Sequence, residues 1–239
     1  MLIDAATQLL VYLRQLFPGL ALVLLWFALT PRQLTGLRIA SLLLAFILAR
    51  DLMTPLGFWS LAEGGLAFHR NPLLLASLGL AALVMIALLW RAAPQLWRLV
   101  VGFKGKPGHG LLMGLAAGCA LGLPLRLLLG VELAPSAWLA GLLVLAVAGN
   151  ALEELLFRGV LQGYLEQHTS ALRAALGSAV AFAACHGPLA LVLTQAGWPV
   201  LLFTLLEGLA CALVRMRHGT VPAIITHALV IGLMAAPML

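Results

Sequence analysis

The sequence has very few charged residues. Only 9% of its 239 residues are Asp, Glu, Lys or Arg, whereas 63% are hydrophobic. A soluble domain usually carries about 25% charged residues, and it needs a polar surface that this chain has too few polar residues to build. The composition therefore excludes an ordinary soluble globular protein and indicates one whose outer surface faces lipid.

Cysteine is also scarce. The three cysteines, Cys119, Cys185 and Cys211, lie inside apolar runs and form no CxxC pair. This spacing excludes a disulfide framework and a zinc knuckle, and it is typical of small buried apolar side chains.

Eight long apolar runs are separated by short polar clusters. Runs of this length predict an all-α, polytopic membrane protein with about eight transmembrane helices, located in the cell (inner or plasma) membrane. The predicted spans are 8–29, 36–54, 71–90, 110–129, 137–162, 172–187, 199–214 and 220–237.

Basic residues outnumber acidic ones, and the net charge is +6. The cations lie between the apolar runs, as loop charges of membrane proteins do, so we expect a lipid bilayer and no nucleic acid as partner. The densest cluster runs from Arg91 to Lys106, which places that loop in the cytoplasm. Alternation of the spans places Arg32, Arg38 and Arg173 on the same side.

The residues suited to chemistry are concentrated in the second half of the chain. Residues 1–135 form predicted transmembrane helices without a carboxylate or histidine cluster inside a span. Residues 136–239 hold nearly all such groups, so we expect them to form the functional helical core.

Two adjacent glutamates and an arginine lie in the fifth predicted span, in the run Glu-Glu-Leu-Leu-Phe-Arg-Gly. Charged groups at membrane depth are costly, so they usually have a partner or a function. On a helix Glu154 and Arg158 share a face, and the arginine can hold the glutamate ionised. Glu153 points about 100° away, which leaves it as the candidate proton acceptor. From these residues alone, a buried ion pair with a spare glutamate is the alternative.

Two histidines lie deep in later spans. His186 follows Phe182 by one turn and precedes a Gly-Pro pair that ends the helix, whereas His227 lies in the eighth span. Taken singly, His186 has a helix cap and His227 a helix–helix hydrogen bond as the alternative to a catalytic role. Glu207 in the seventh span either supports the site or is a structural acid. The predicted spans put His227 nearer the cytoplasm and His186 nearer the outside, about 10 Å apart in depth.

The order of these motifs resembles the CAAX-protease and bacteriocin-processing family (CPBP, or Abi) of intramembrane endopeptidases. The order is Glu-Glu-x-x-x-Arg, then Phe-x-x-x-His, then a further His in the last helix. The resemblance covers about residues 136–239 and includes Arg158-Gly159 and the run Gly219-Thr220-Val221-Pro222 ahead of His227.

This resemblance implies roles for five residues. Glu153 would activate a water molecule, and His186 would help to hold or deprotonate it. Glu154 and Arg158 would support that pair, and His227 would stabilise the oxyanion at the scissile carbonyl. The implied substrate is a membrane-anchored or lipid-modified peptide, such as a prenylated tail, a bacteriocin leader or a surface-protein anchor, and no cofactor is implied.

One position departs from the family pattern. Family members usually carry an asparagine four residues after the last histidine, where this chain has Ile231. Loss of one oxyanion donor typically lowers the rate by about two to three orders of magnitude. Either another group supplies the donor, or the enzyme is slow, or the fold is used without hydrolysis.

Two other functions remain open on the sequence. A zinc metallopeptidase would use Glu153 or Glu154, His186 and His227 as ligands beside an open water position, although the chain has no HExxH motif. A transporter, or a membrane scaffold or immunity protein on the same fold, is favoured by Ile231 and opposed by the intact glutamate, arginine and histidine set.

Overall fold

The protein is described by a computed structural model covering residues 2–62, 65–131 and 134–238. As the composition predicts, the described chain is built almost entirely of α-helices. They are α1 (Leu2–Leu29), α2 (Thr35–Met53), α3 (Pro72–Ala92), α4 (Pro94–Trp97), α5 (Pro107–Leu129), α6 (Ser136–Glu154), α7 (Gln162–Glu166), α8 (Ala171–Cys185), α9 (Trp198–His218) and α10 (Thr220–Met234). Two π-helical segments, Leu155–Leu161 and Leu189–Leu193, extend α6 and follow α8.

Six helical segments of the described chain are long and apolar enough to cross a membrane, which makes this a multi-pass integral membrane protein. The segments are Ala5–Leu29, Pro72–Ala92, Pro107–Leu129, Ser136–Glu166, Ala171–Leu193 and Trp198–His218.

The remaining two predicted spans are also helical, but one carries buried charged residues and the other is short. Helix α2 carries three charged residues, Arg38, Arg50 and Asp51, which are all buried inside the protein. Helix α10 has 15 residues, so it is about 22 Å long and shorter than the bilayer core of about 30 Å. The predicted span 220–237 is too long because residues Ala235–Pro237 form a strand.

A small three-stranded sheet, not expected from the sequence, closes one end of the bundle. Strands β1 (Trp59–Ala62) and β2 (Gly65–Phe68) are antiparallel, and β3 (Ala235–Pro237) pairs with β2 in parallel. The end of α10 is thereby tied to the segment between α2 and α3.

Helix α5 presents a stripe of glycines to α10. A Cβ atom at Gly114 would lie 2.5 Å from the Pro222 carbonyl oxygen, and one at Gly118 would lie 2.9 Å from the Leu229 Cβ. Glycine is therefore needed for the two backbones to approach this closely, as in other membrane helix pairs. The buried glycines of the stripe recur every four residues, at Gly110, Gly114, Gly118 and Gly122.

The start of α10 is also buried. The Thr220 side chain is fully enclosed, and the backbone amides of Thr220 and Val221 donate to the carbonyls of Val101 and Gly102. Helix α10 therefore begins inside the protein and not at a free end in the aqueous phase.

Candidate active site

The buried centre of the site is an ion pair between Glu154 and Arg158. Arg158 Nη1 lies 2.9 Å from Glu154 Oε1, and both side chains are fully buried. The guanidinium also donates to the Gly208 carbonyl at 3.0 Å and lies 4.2 Å above the Phe182 ring. The pairing predicted from the four-residue spacing is present, and these further contacts hold the arginine in one orientation.

His227 joins the same carboxylate from the opposite side. Its Nδ1 donates to Glu154 Oε1 at 2.9 Å, and its Nε2 lies 3.7 Å from Glu207 Oε1. The neighbouring Thr226 donates to the Gly114 carbonyl of α5, which anchors this turn of α10. Glu207, to which the sequence assigns no definite role, therefore lies beside His227 at the centre of the molecule.

His186 lies at the C-terminal end of α8 and is 8% exposed. Its Nδ1 is 2.8 Å from the Phe182 carbonyl oxygen. A carbonyl can only accept, so Nδ1 carries the proton and the neutral ring offers Nε2 as a proton acceptor. This tautomer suits a group that receives a hydrogen bond from water.

The two histidines lie close to each other in the folded chain. The Phe182 ring centroid is 4.5 Å from that of His186 and 5.7 Å from that of His227, so one phenylalanine contacts both. The motifs on α8 and α10 therefore meet at Phe182, as a shared site requires.

Glu153 is the least enclosed of the acidic residues in this cluster. Its side chain is partly exposed, and none of the described residues donates a hydrogen bond to its carboxylate. Glu153 and His186 share no direct hydrogen bond in the described structure. Glu153 is thus an available carboxylate at the edge of a closed polar network.

A comparison with protein families matches the part of the chain that carries these motifs. Residues 135–232 match the family described as "Type II CAAX prenyl endopeptidase Rce1-like". This Rce1-like region contains all five site residues predicted from the sequence and extends one residue past Ile231. The match confirms the resemblance and supports a membrane peptidase in general. Comparison with curated proteins and with solved structures gave no match.

Arg50 of α2 lies outside the Rce1-like region, yet it reaches the site. Its Nη2 donates to the Cys185 carbonyl at 2.6 Å, one residue before His186, and to Asp51 Oδ1 at 2.5 Å. The Nη1 atom is buried without a hydrogen-bond partner in the described chain. Sequence reasoning missed Arg50, although a charged pair inside predicted span 36–54 is the same kind of signal that identified Glu154 and Arg158.

One group of potential metal ligands occurs among the described residues. Ligand atoms of Glu154, Cys211 and His227 lie within 4.8 Å of one another. The group shares His227, and Glu154 as the alternative carboxylate, with the zinc set of Glu153 or Glu154, His186 and His227 considered from the sequence. Arg158 already places a positive charge 2.9 Å from Glu154 Oε1, so a metal ion there would meet a competing cation.

Proposed function

We propose that this protein is an intramembrane endopeptidase that cleaves the tail of a lipid-modified or membrane-anchored protein with a glutamate-activated water molecule. The arrangement of Glu153 carries the proposal. This residue is partly buried beside the buried network of Glu154, Arg158 and His227, and its carboxylate has no ion-pair or hydrogen-bond partner among the described residues. A general base requires such a free acceptor, and the ionic groups behind it are already paired.

In this mechanism Glu153 accepts a proton from a water molecule whose second hydrogen is directed to His186 Nε2. The oxygen attacks the scissile carbonyl carbon, and the carbonyl electron pair moves to its oxygen. The tetrahedral intermediate then collapses, the C–N bond breaks, and Glu153 returns the proton to the leaving amine. The two carboxylates thus have different roles: Glu153 transfers the proton, and Glu154 keeps its negative charge throughout.

The network of Arg158, Glu154 and His227 would stabilise the negative charge that develops on the carbonyl oxygen. Arg158 holds Glu154, and Glu154 accepts the Nδ1–H of His227. The imidazolium form of His227 can then donate Nε2–H to the oxyanion while Nδ1–H remains on Glu154. Preorganised donors of this kind are usually a large part of catalysis because they need no rearrangement during the reaction.

The direct test is cleavage of a prenylated peptide with a free C-terminal tail by the purified protein in lipid nanodiscs, with and without a metal chelator. We expect cleavage that the chelator changes by less than about twofold, since the positive partner of Glu154 is an arginine. The unprenylated peptide is the matched substrate control. Loss of activity with chelator and recovery with zinc would contradict the mechanism and favour the metallopeptidase.

Replacing Ile231 by Asn tests the departure from the family pattern. The asparagine lies one turn after His227 and would add a donor where charge develops. We expect kcat to rise by about tenfold or more with little change in KM, because the added bond forms in the transition state. Ile231 packs against the apolar cluster around Phe58 and Trp59, so rates must be compared at equal folded concentration.

Ile231→Leu is the matched control, because it changes the side-chain shape without adding a donor. An unchanged rate in a stable Ile231→Asn variant would show that another group already occupies this role. Asn150 is one candidate, since its Nδ2 is buried without a partner in the described structure, one turn before Glu154. Absence of cleavage in every form would favour the scaffold function.

Arg50→Gln tests the contribution of α2 to the site. We expect kcat to fall by about tenfold with KM nearly constant, because the carbonyl preceding His186 loses its charged donor. Arg50→Lys should recover part of the rate. The matched control is Arg126→Gln, because Arg126 donates to the Leu233 carbonyl away from the site. Equal effects of the two glutamine variants would show that Arg50 is only structural.

A further inference from the structure

A groove with two arginines lies where α1 and α3 end. Its volume is ≈ 380 Å³, within the range of about 300–1,000 Å³ that small-ligand sites occupy. None of its residues belongs to the Rce1-like region. The lining consists of Leu24, Phe27, Ala28, Arg32, Arg38 and Ala92.

The two arginines of this groove have no counterion in the part of the chain that the structure describes. Within the described ranges, no carboxylate pairs with Arg32 or Arg38, and no group accepts a hydrogen bond from either guanidinium. Arg38 is 6% exposed, and its Nε is buried without a partner. A buried guanidinium with an unsatisfied donor, beside the exposed Arg32, favours binding of an anion in this groove.

The groove is built to hold one of these arginines in place. The Arg38 guanidinium carbon lies 4.1 Å from the centre of the Phe27 ring. This cation–π contact occupies a face of the guanidinium and leaves its N–H edge free for an acceptor with two oxygen atoms that can bind side by side. A phosphate group has the required geometry.

The surroundings of the groove indicate a lipid and not a soluble anion. Leu24 and Leu29 at the end of α1 are 44% and 72% exposed, as expected for side chains that face acyl chains. The sequence places Arg32 and Arg38 on the cytoplasmic side. The cytoplasmic leaflet is where anionic lipids concentrate and attract basic residues near the surface.

We propose that this groove binds the phosphate of an anionic membrane lipid between Arg32 and Arg38, with an acyl chain lying along the exposed apolar side of α1. The bound lipid would join α1, α2 and the end of α3. The site is separate from the candidate active site, and its occupancy does not depend on peptidase activity.

Native mass spectrometry of the purified full chain tests this proposal. The protein is titrated with dioleoyl-phosphatidylglycerol, dioleoyl-phosphatidylcholine or inorganic phosphate. We expect one phosphatidylglycerol molecule to bind about tenfold more tightly than phosphatidylcholine. Arg32→Gln should remove about tenfold of that affinity, because one charge-assisted contact is lost. Arg38→Lys keeps the positive charge but cannot donate two parallel hydrogen bonds to one phosphate, and it should give a smaller loss of affinity.

Arg173→Gln is the matched control. It removes one exposed arginine from the same predicted side of the membrane, away from the groove, and should change the affinity by less than about twofold. Equal losses in Arg32→Gln and Arg173→Gln would overturn the proposal, because binding would then follow net charge. Equal binding of both lipids would also overturn it. If inorganic phosphate displaces phosphatidylglycerol at a similar concentration, the ligand of the groove is a soluble anion and the lipid proposal is wrong.

Discussion

Replacing Glu153 by Gln should lower cleavage by about 10²–10⁴-fold, the usual contribution of a general base. Glutamine keeps the size of the side chain but cannot accept the proton of the water molecule. The fold should be preserved, because no described residue forms an ion pair or hydrogen bond with the Glu153 carboxylate. Initial rates with a prenylated peptide and thermal unfolding in the same detergent provide the two measurements.

The adjacent glutamate is the matched comparison. Glu154→Gln leaves Arg158 without its anionic partner, so this variant should lose stability as well as activity. Turnover at the wild-type rate by folded Glu153→Gln would remove Glu153 from the mechanism. A loss of stability in Glu153→Gln equal to that in Glu154→Gln would mean that both acids are structural.

Arg158→Ala should cost about 3–5 kcal/mol of stability, because it leaves a fully buried carboxylate unpaired. It also removes the hydrogen bond to the Gly208 carbonyl and the contact with the Phe182 ring. The folded yield and the unfolding midpoint measure this loss directly.

A double variant separates stability from chemistry at this pair. Apolar residues of similar size often replace a buried ion pair without loss of stability. The combination Glu154→Leu with Arg158→Met should therefore fold better than Arg158→Ala and still fail to cleave, since His227 loses its acceptor. A double variant that cleaves at the wild-type rate would show that the network has no part in catalysis.

The local features of the site could be predicted because they depend on helical spacing. The four-residue interval between Glu154 and Arg158 fixes a shared face on any helix. The presence of ionisable residues inside apolar spans likewise identified Glu153 and His227 as groups that need an explanation. The apolar runs predicted the helices and the polytopic fold for the same reason.

Features that depend on how helices meet could not be read from single spans. The position at which α10 begins depends on contacts with the backbone of Val101 and Gly102, which are distant in sequence. The approach of Arg50 to Cys185 joins residues 135 positions apart. The small sheet arises from short segments without a strand pattern of their own, so pairing and not propensity creates it.

Helix α5 contributes none of the five candidate residues, yet its glycine stripe determines how closely it packs against α10, which carries His227. Direct backbone contact between α5 and α10 leaves almost no side-chain volume that could adjust if one helix shifted along the other. A fragment limited to residues 135–232 would retain all five candidate residues and still lose the surface that sets the height of His227. Substitutions at the glycines of α5 should therefore alter catalytic geometry from outside the sequence motif, through steric fit between two helices and without any change to a candidate catalytic residue.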